Sequence, residues 1–220
     1  MRRVALFARP PRVGQVKTRL SPALPAEQAC ALYRALLADA LTAIAEVAAD
    51  ERLVYWADEP HDGEPLPHGI RARTQRGDDL GARLGAAFDE LLQGDEARAV
   101  AIGADAPELD AGRIAQAFAA LEENDLALVP ALDGGFALIA LGRRAPSLFA
   151  GVAWSTSAVI DQVLERARAA DLRVARLAPI ADLDTPADLV ALVARALERP
   201  AIIGAATRDA LARLALLPPV

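Results

Sequence analysis

An α/β fold with a mostly parallel sheet and one antiparallel strand is predicted by three features of the sequence. Short apolar runs alternate with amphipathic stretches along most of the chain, the pattern of βαβ units. The amphipathic stretches repeat their apolar residues at helical spacing, as in Leu32, Leu36, Ala40, Ile44 and Val47. The apolar runs at 126–129 and 136–141 are joined by a short link containing Gly134 and Gly135. That link is too short for a parallel crossover, so one strand of the pair runs antiparallel.

The elements follow in order. Val4–Ala8 reads as a buried strand, and residues 9–22, with Pro10, Pro11, Gly14 and Pro22, as a loop. Residues 25–47 form a helix, Leu53–Trp56 a strand, 58–69 a Pro/Gly-rich surface loop and Ile70–Thr74 a weak strand. Asp78 or Asp79 caps a helix to about Leu92, and Ala99–Ile102 is a strand. Asp110 caps a helix to about Glu123. Ser155, Thr156 or Ser157 caps a helix to about Ala170, followed by a strand at Leu172–Leu177. Thr185-Pro186 opens a helix through Leu197, with proline in the first turn. A last helical stretch covers about 205–216. The expected organisation is one domain over 1–200, with 201–220 as a helical extension packed on it.

Composition narrows the function. The 220 residues are 54% apolar and 25% charged, a globular profile. A net charge of −6 speaks against a nucleic-acid or anionic-membrane binder. The lone Cys30 excludes an internal disulfide and any multi-cysteine zinc site. Its place within a predicted helix suggests a buried apolar role. No apolar run approaches the roughly 20 residues of a membrane span, and the start is too short between charges for a secretory leader. The expected setting is cytoplasmic, as a monomer or homodimer. His61 and His68 share one loop without a G-x-S-x-G partner, which argues against a Ser-His-Asp hydrolase.

Charge is unevenly placed. Arg2, Arg3, Arg9, Arg12, Lys17 and Arg19 fall in the first twenty residues, which hold no acid, so this segment is read as a local anion site. Lys17 is the only lysine in the chain. It offers a compact point charge suited to phosphate, or it is a chance survivor on a solvated loop. In open α/β sheets ligands bind beyond the carboxyl ends of the strands, so the residues after each strand belong together. The loop after the first strand has glycine and proline to shape it and cations to hold phosphate oxygens. It lacks the Walker A pattern and the dinucleotide fingerprint.

Asp105 follows the strand at 99–102, placed for a hard cation such as Mg²⁺, or for an Asx turn or helix cap. Asp133 precedes Gly134-Gly135 and is read either as a hairpin-turn residue or as a carboxylate poised for an acceptor. Trp154-Ser155-Thr156 is either a helix cap or a wall for a polar acceptor. Asp182 and Asp184 are read as pointing to opposite sides, one facing the site as a second metal ligand while the other caps or packs. Gln75, Asp79 and Gly81 precede the second major helix, where they are placed to touch a base or ribose.

Five segments occur in one order: 8–20 (ARPPRVGQVKTRL), 102–109 (IGADAPEL), 133–141 (DGGFALIAL), 154–157 (WSTS) and 182–189 (DLDTPADL). Together they resemble an uncharacterised GT-A-like family of the nucleotide-diphospho-sugar transferase superfamily, often labelled glycosyltransferase, including arsenosugar-biosynthesis-type members. The lysine loop and the Asp-Thr-Pro helix are also similar, more distantly, to 2-phospholactate guanylyltransferase. The resemblance implies a three-layer GT-A sandwich and a Mg²⁺- or Mn²⁺-dependent transferase using a nucleotide-activated donor and a small-molecule acceptor. Carried onto this sequence, it implies Asp105 with Asp184 or Asp182 at the metal, and the basic loop then places Arg9, Gly14, Lys17 and Arg19 at the donor phosphates. Asp133 would orient or deprotonate the acceptor, with Gly134, Gly135, Trp154, Ser155 and Thr156 around it. Glycosyl transfer is the first expectation. Nucleotidyl transfer with release of pyrophosphate is the second, since Gly103 stands where an Asp-x-Asp motif would begin. A nucleotide-binding protein without turnover is the third.

Overall fold

Burial with a period of two makes β1 (Arg2–Ala8) a central strand. Val4, Leu6 and Ala8 enter one core and Ala5 enters another, because successive side chains of an extended chain point to opposite faces. The same division holds in β4 (Arg98–Gly103), where Val100 and Ile102 face one core and Ala99 and Ala101 the other. It holds again in β5 (Leu126–Pro130) and, from Leu138 onward, in β6 (Phe136–Leu141). Strands covered on both faces need apolar side chains at every position, and these four read as continuous apolar runs for that reason.

The computed structural model describes residues 1–58, 65–94 and 96–218. Of the 58–69 loop, residues 59–64 lie outside that set, and His61 with them. With β2 (Glu51–Trp56), β3 (Ile70–Thr74) and β7 (Val174–Arg176), the strands form one seven-stranded sheet in the order β3-β2-β1-β4-β6-β5-β7. Every pairing is parallel except those of β6, which runs antiparallel to both β4 and β5. The short link from β5 to β6 makes the expected hairpin. The edge strands are the most polar: Arg71 and Arg73 on β3 and Arg176 on β7 discourage edge-to-edge pairing.

Helices α1 (Ala26–Glu46) and α3 (Ala111–Ala120) cover one face, and α2 (Leu80–Leu91) and α4 (Val159–Ala169) the other. The result is the three-layer sandwich expected for the GT-A class. Helices α5 (Pro186–Glu198) and α6 (Ala205–Arg213) build a further apolar cluster against α1, with Leu20, Leu32, Leu36, Leu192 and Leu211 at its centre. Asp39 of α1 accepts from the N–H groups of Ala206 (3.0 Å) and Thr207 (2.8 Å), so a side chain of one helix caps the start of another.

Three expectations need correction. None of Ser155, Thr156 and Ser157 is the N-cap of α4; that position is Ala158, without a side-chain cap. The Thr156 hydroxyl donates instead to the Ala153 carbonyl at 2.7 Å. The strand expected at 172–177 is confined to Val174–Arg176, since Leu172 N–H still bonds back to the Ala167 carbonyl. Arg2 and Arg3 do not join the basic loop. They begin β1 at its far end, where Arg3 donates to the carbonyls of Leu91 (2.5 Å) and Gln93 (2.9 Å) at the end of α2. Cations are favoured there by the carbonyls of the last helical turn.

Candidate functional site

The strand order reverses between β1 and β4, whose carboxyl ends are neighbours through the Phe7–Gly103 pairing. A crevice beyond such a reversal is where open α/β sheets bind ligands. Two loops meet there: 9–22 after β1 and 104–110 after β4.

The first loop is clamped from below by α1. The Tyr33 hydroxyl accepts from the Arg9 N–H (2.9 Å) and donates to the Arg9 carbonyl (3.1 Å). Cys30 Sγ and Arg34 both donate to the Pro11 carbonyl, at 3.3 and 2.9 Å. Cys30 is buried, with no sign of a nucleophile's exposure. Burial raises the Tyr33 hydroxyl's pKa well above its ordinary value, with Asp105 adding to the effect, so the phenol stays protonated and keeps its bond to Arg9. Buried Val16 and Leu20 pin the far part of the loop. Between these anchors, Gly14 turns the chain at φ 75° with open space around it. Among the described residues, the N–H groups of Gly14, Val16 and Lys17 donate to no backbone carbonyl. Arg9 and Arg19 are exposed on the loop.

Lys17 turns inward. Its backbone is left-handed (φ 50°, ψ 34°), a conformation that costs a non-glycine residue energy and is common at functional sites. The side chain is 3% exposed, and its ammonium lies 2.5 Å from Asp105 Oδ1 and 2.9 Å from Asp184 Oδ1. Burial pulls its pKa down, but the two carboxylates outweigh burial and hold it above the ordinary value. Arg19 adds a looser contact to Asp184 Oδ2 at 3.8 Å. Lys17, Asp105 and Asp184, far apart in sequence, therefore form one cluster. A solvated loop does not describe this lysine.

Asp184 reaches that cluster because the chain after β7 is stitched to its neighbours. Ile180 pairs with Ala131, and Leu183 N–H donates to the Asp105 carbonyl at 2.9 Å. Leu183 is fully buried, while Asp182 and Asp184 on either side of it are half-buried, in a segment outside any helix or strand. Residues two apart in an extended chain share a face, so the expectation that they point to opposite sides is wrong. Asp182 is raised to about 6, chiefly by burial and next by the Asp133 charge, with Asp184 adding. It thus stands near both carboxylates. Neither aspartate caps α5. Thr185 accepts from Asp188 N–H, and Asp188 closes the reciprocal capping box.

Asp133 keeps its turn role: Oδ1 accepts from Gly135 N–H at 2.8 Å. Gly134 has φ 94°, and a Cβ there would run into the Ser157 backbone. The Gly134 carbonyl also accepts from Ile160 N–H at 2.9 Å. The Asp133 turn and the 154–157 segment are thus one packed unit. Ser155, at φ 63°, is like Lys17 a non-glycine residue in left-handed conformation. Trp154 packs edge-on to Phe136 and tilted against Phe149. Its buried Nε1 has no hydrogen-bond partner among the described residues.

The three residues before or within α2 have other work in this structure. Gln75 Nε2 donates to the Tyr55 carbonyl (2.8 Å) and more loosely to Ala8 (3.4 Å), which turns its amide oxygen away from both. Asp79 caps α2 through Ala82 N–H. Gly81 is buried under Trp154, where a Cβ would fall 2.6 Å from Nε1. Sequence reasoning missed Tyr33 and the Glu108–Arg195 pair (2.8 Å) that ties the β4 loop to α5. Neither carries a motif; both are recognised only once the helices are docked.

The donor set fits a hard divalent cation. Asp105 and Asp184 converge on one point through oxygens, and Mg²⁺ or Mn²⁺ accepts few carboxylates plus water and phosphate. Among the described residues no group of three or more His, Cys, Asp or Glu could hold a metal alone, so phosphates or waters would have to complete the shell.

Sheet order, a lone antiparallel strand and a cation-and-carboxylate cluster at the switch point define the class: an α/β domain of the nucleotide-diphospho-sugar transferase type. The chain belongs to the DUF2064 family, described as an uncharacterized protein conserved in bacteria, which matches residues 35–156. That stretch includes Asp105, Asp133 and Trp154 but neither Lys17 nor Asp184. No curated protein matches the chain. Among solved structures, a candidate nucleotide-diphospho-sugar transferase from Desulfovibrio desulfuricans G20 is 28% identical, with a TM-score of 0.88 over 98% of this chain and 96% of that one. The 4-diphosphocytidyl-2C-methyl-D-erythritol synthase of Anaerococcus prevotii DSM 20548 shares the fold at 11% identity, TM-score 0.57, over 90% of this chain and 96% of that one. The Rv0371C protein of Mycobacterium tuberculosis H37Rv, solved in complex with manganese, does so at 17% identity, TM-score 0.52, over 90% and 98%. No helix among the described residues is long and apolar enough to cross a membrane.

Proposed function

We propose that this protein is a divalent-metal-dependent transferase that moves a glycosyl group from a nucleotide-diphospho-sugar donor to a small acceptor. The observation that carries this reading is the meeting of Lys17 with Asp105 and Asp184 at the switch point of the sheet. The likeness to the Desulfovibrio protein supports the donor class.

In this reading the loop after β1 binds the donor diphosphate. Arg9 and Arg19 offer charge, Gly14 shapes the turn, and the N–H groups of Gly14, Val16 and Lys17, which donate to no backbone carbonyl, offer partial positive charge to phosphate oxygens. Gln75, held by two carbonyls through its amino group, presents its amide oxygen to a donor N–H of the base. Asp79 and Gly81 act indirectly, by starting α2 and seating Trp154. Asp105 and Asp184 would hold the metal, which supplies charge neutralisation for the departing diphosphate. Asp133, Trp154, Ser155 and Thr156 form the acceptor side, with Gly134 and Gly135 setting their spacing. An acceptor hydroxyl forms a bond to the anomeric carbon as the bond from that carbon to the phosphate oxygen breaks. The nucleoside diphosphate leaves with the electron pair, and Asp133 takes the hydroxyl proton. Rate acceleration comes mainly from positioning and preorganised charge.

One observation favours a second reading. Gly103 removes the first carboxylate of an Asp-x-Asp pair, and the second acid comes from distant Asp184. That arrangement suits attack of an acceptor phosphate or hydroxyl on an α-phosphate, with pyrophosphate leaving. The products decide. The protein is incubated with Mn²⁺, a panel of nucleotide sugars or nucleoside triphosphates, and mixed small acceptors. Release of nucleoside diphosphate supports glycosyl transfer; release of pyrophosphate replaces it with nucleotidyl transfer. Neither product from any pair counts against turnover.

A further inference from the structure

The ammonium of Lys17 stands between Asp105 Oδ1 and Asp184 Oδ1, the position that a cation bound by both of those oxygens would take. Both carboxylates reach it through Oδ1, at 2.5 and 2.9 Å, and the Lys17 side chain is 3% exposed. A metal held by those two oxygens would have to displace the ammonium, because two cations in contact repel each other strongly. We propose that Lys17 is a built-in counter-cation that keeps the divalent metal out until donor phosphates arrive. The proposal rests on the transferase reading above.

The geometry supplies both halves of such an exchange. In the closed arrangement the ammonium satisfies two carboxylates that would otherwise repel each other. Lys17 also sits at the base of the phosphate-binding loop, next to Thr18 and the exposed Arg19. Its backbone is already in the left-handed region, at the joint between the turn at 13–15 and the short 3₁₀ turn Thr18–Leu20. A long unbranched side chain on that joint can move from carboxylate to phosphate by rotating its own torsions, with Val16 and Leu20 still anchored. A phosphate group exchanges one anionic partner for another, and it brings ligands that a two-carboxylate site lacks. Metal and phosphate should therefore bind with positive coupling, each raising the other's affinity by the same factor.

Because Lys17 is the only lysine, lysine labelled with ¹⁵N at Nζ gives one side-chain ammonium resonance in the full chain. Mg²⁺ alone should leave that resonance in place, and Mg²⁺ with inorganic pyrophosphate should move it. In parallel, Mn²⁺ binding is titrated by electron paramagnetic resonance without phosphate. Lys17→Gln should bind Mn²⁺ at least about tenfold more tightly than wild type, the range expected when a competing charge is removed. Lys17→Gln/Asp105→Asn should lose that gain. The proposal is overturned if wild type binds Mn²⁺ alone as tightly as Lys17→Gln. It is also overturned if Mg²⁺ and pyrophosphate bind by calorimetry while the ammonium resonance stays put; the transferase reading survives both results. If wild type binds neither metal nor pyrophosphate, alone or together, the transferase reading falls with the proposal.

Discussion

The backbone N–H of Leu183 donates to the carbonyl of Asp105 at 2.9 Å, and that bond sets where Asp184 stands. With Leu183 buried on one side, the next carboxylate emerges on the other, beside Lys17. The site is therefore assembled by backbone pairing between segments distant in sequence, and its stability depends on residues that touch no ligand.

Tyr33 is such a residue. Tyr33→Phe removes both bonds to Arg9 and leaves a partly buried N–H and carbonyl without their partner. The expected cost is about 1–2 kcal/mol in urea unfolding. On the proposed function donor affinity should fall as well, because the loop after β1 loses its anchor. Unchanged affinity with reduced stability would separate the clamp from the site.

Two glycines with positive φ predict an ordered pair of effects. Gly14→Ala meets no neighbour and should cost only the left-handed penalty, about 1 kcal/mol. Gly134→Ala drives a Cβ into Ser157 and should cost about 3 kcal/mol or more. Chemical denaturation of both variants checks the order.

Asp182 gives a pH prediction. Its pKa is raised to about 6, first by burial and then by Asp133, against about 4 in an unfolded chain. Between those values the folded state holds the extra proton, so this group's contribution to stability falls as pH rises through that window. After allowance for solvent screening the effect is on the order of 1 kcal/mol. Asp182→Asn should therefore be more stabilising at pH 7.5 than at pH 4.5. Equal effects at the two pH values would show that Asp182 titrates normally.

Asp39 joins α1 to α6. Asp39→Ala leaves the first N–H groups of α6 uncapped and should cost about 1–2 kcal/mol. Hydrogen exchange should rise first in 204–213, ahead of the sheet. Uniform acceleration would mean that α6 does not open separately.

The sheet was readable because its central strands are apolar on both faces: Val4–Ala8, Leu126–Val129 and Phe136–Leu141 each stand in the sequence as an unbroken run. Helix α5 was readable from Thr185-Pro186, where cap and first-turn chemistry coincide. The start of α4 was not, because the Thr156 hydroxyl donates to the Ala153 carbonyl and accepts from the Ala158 N–H, one residue short of the helix, so it caps no N–H of the first turn. The strand-end rule led to Lys17, Asp105 and Asp184 as candidates, but their mutual contact depends on how the 180–184 segment docks. Charge counting alone grouped Arg2 and Arg3 with Lys17, although one strand length separates the two ends of β1. Tyr33 and Glu108 had no local signature, since their roles arise only from packing between elements.

The most direct test of the central claim is calorimetric titration of nucleotide sugars and nucleoside triphosphates, with Mn²⁺ and with EDTA, into wild type and Asp105→Asn. Asp105 is 54% exposed, so the variant should keep its fold. The account predicts that at least one of these ligands binds in a Mn²⁺-dependent way, weakened about tenfold or more in the variant, a loss of about 1.4 kcal/mol. Binding that ignores both EDTA and the substitution would contradict it and leave a nucleotide-binding protein without this metal site.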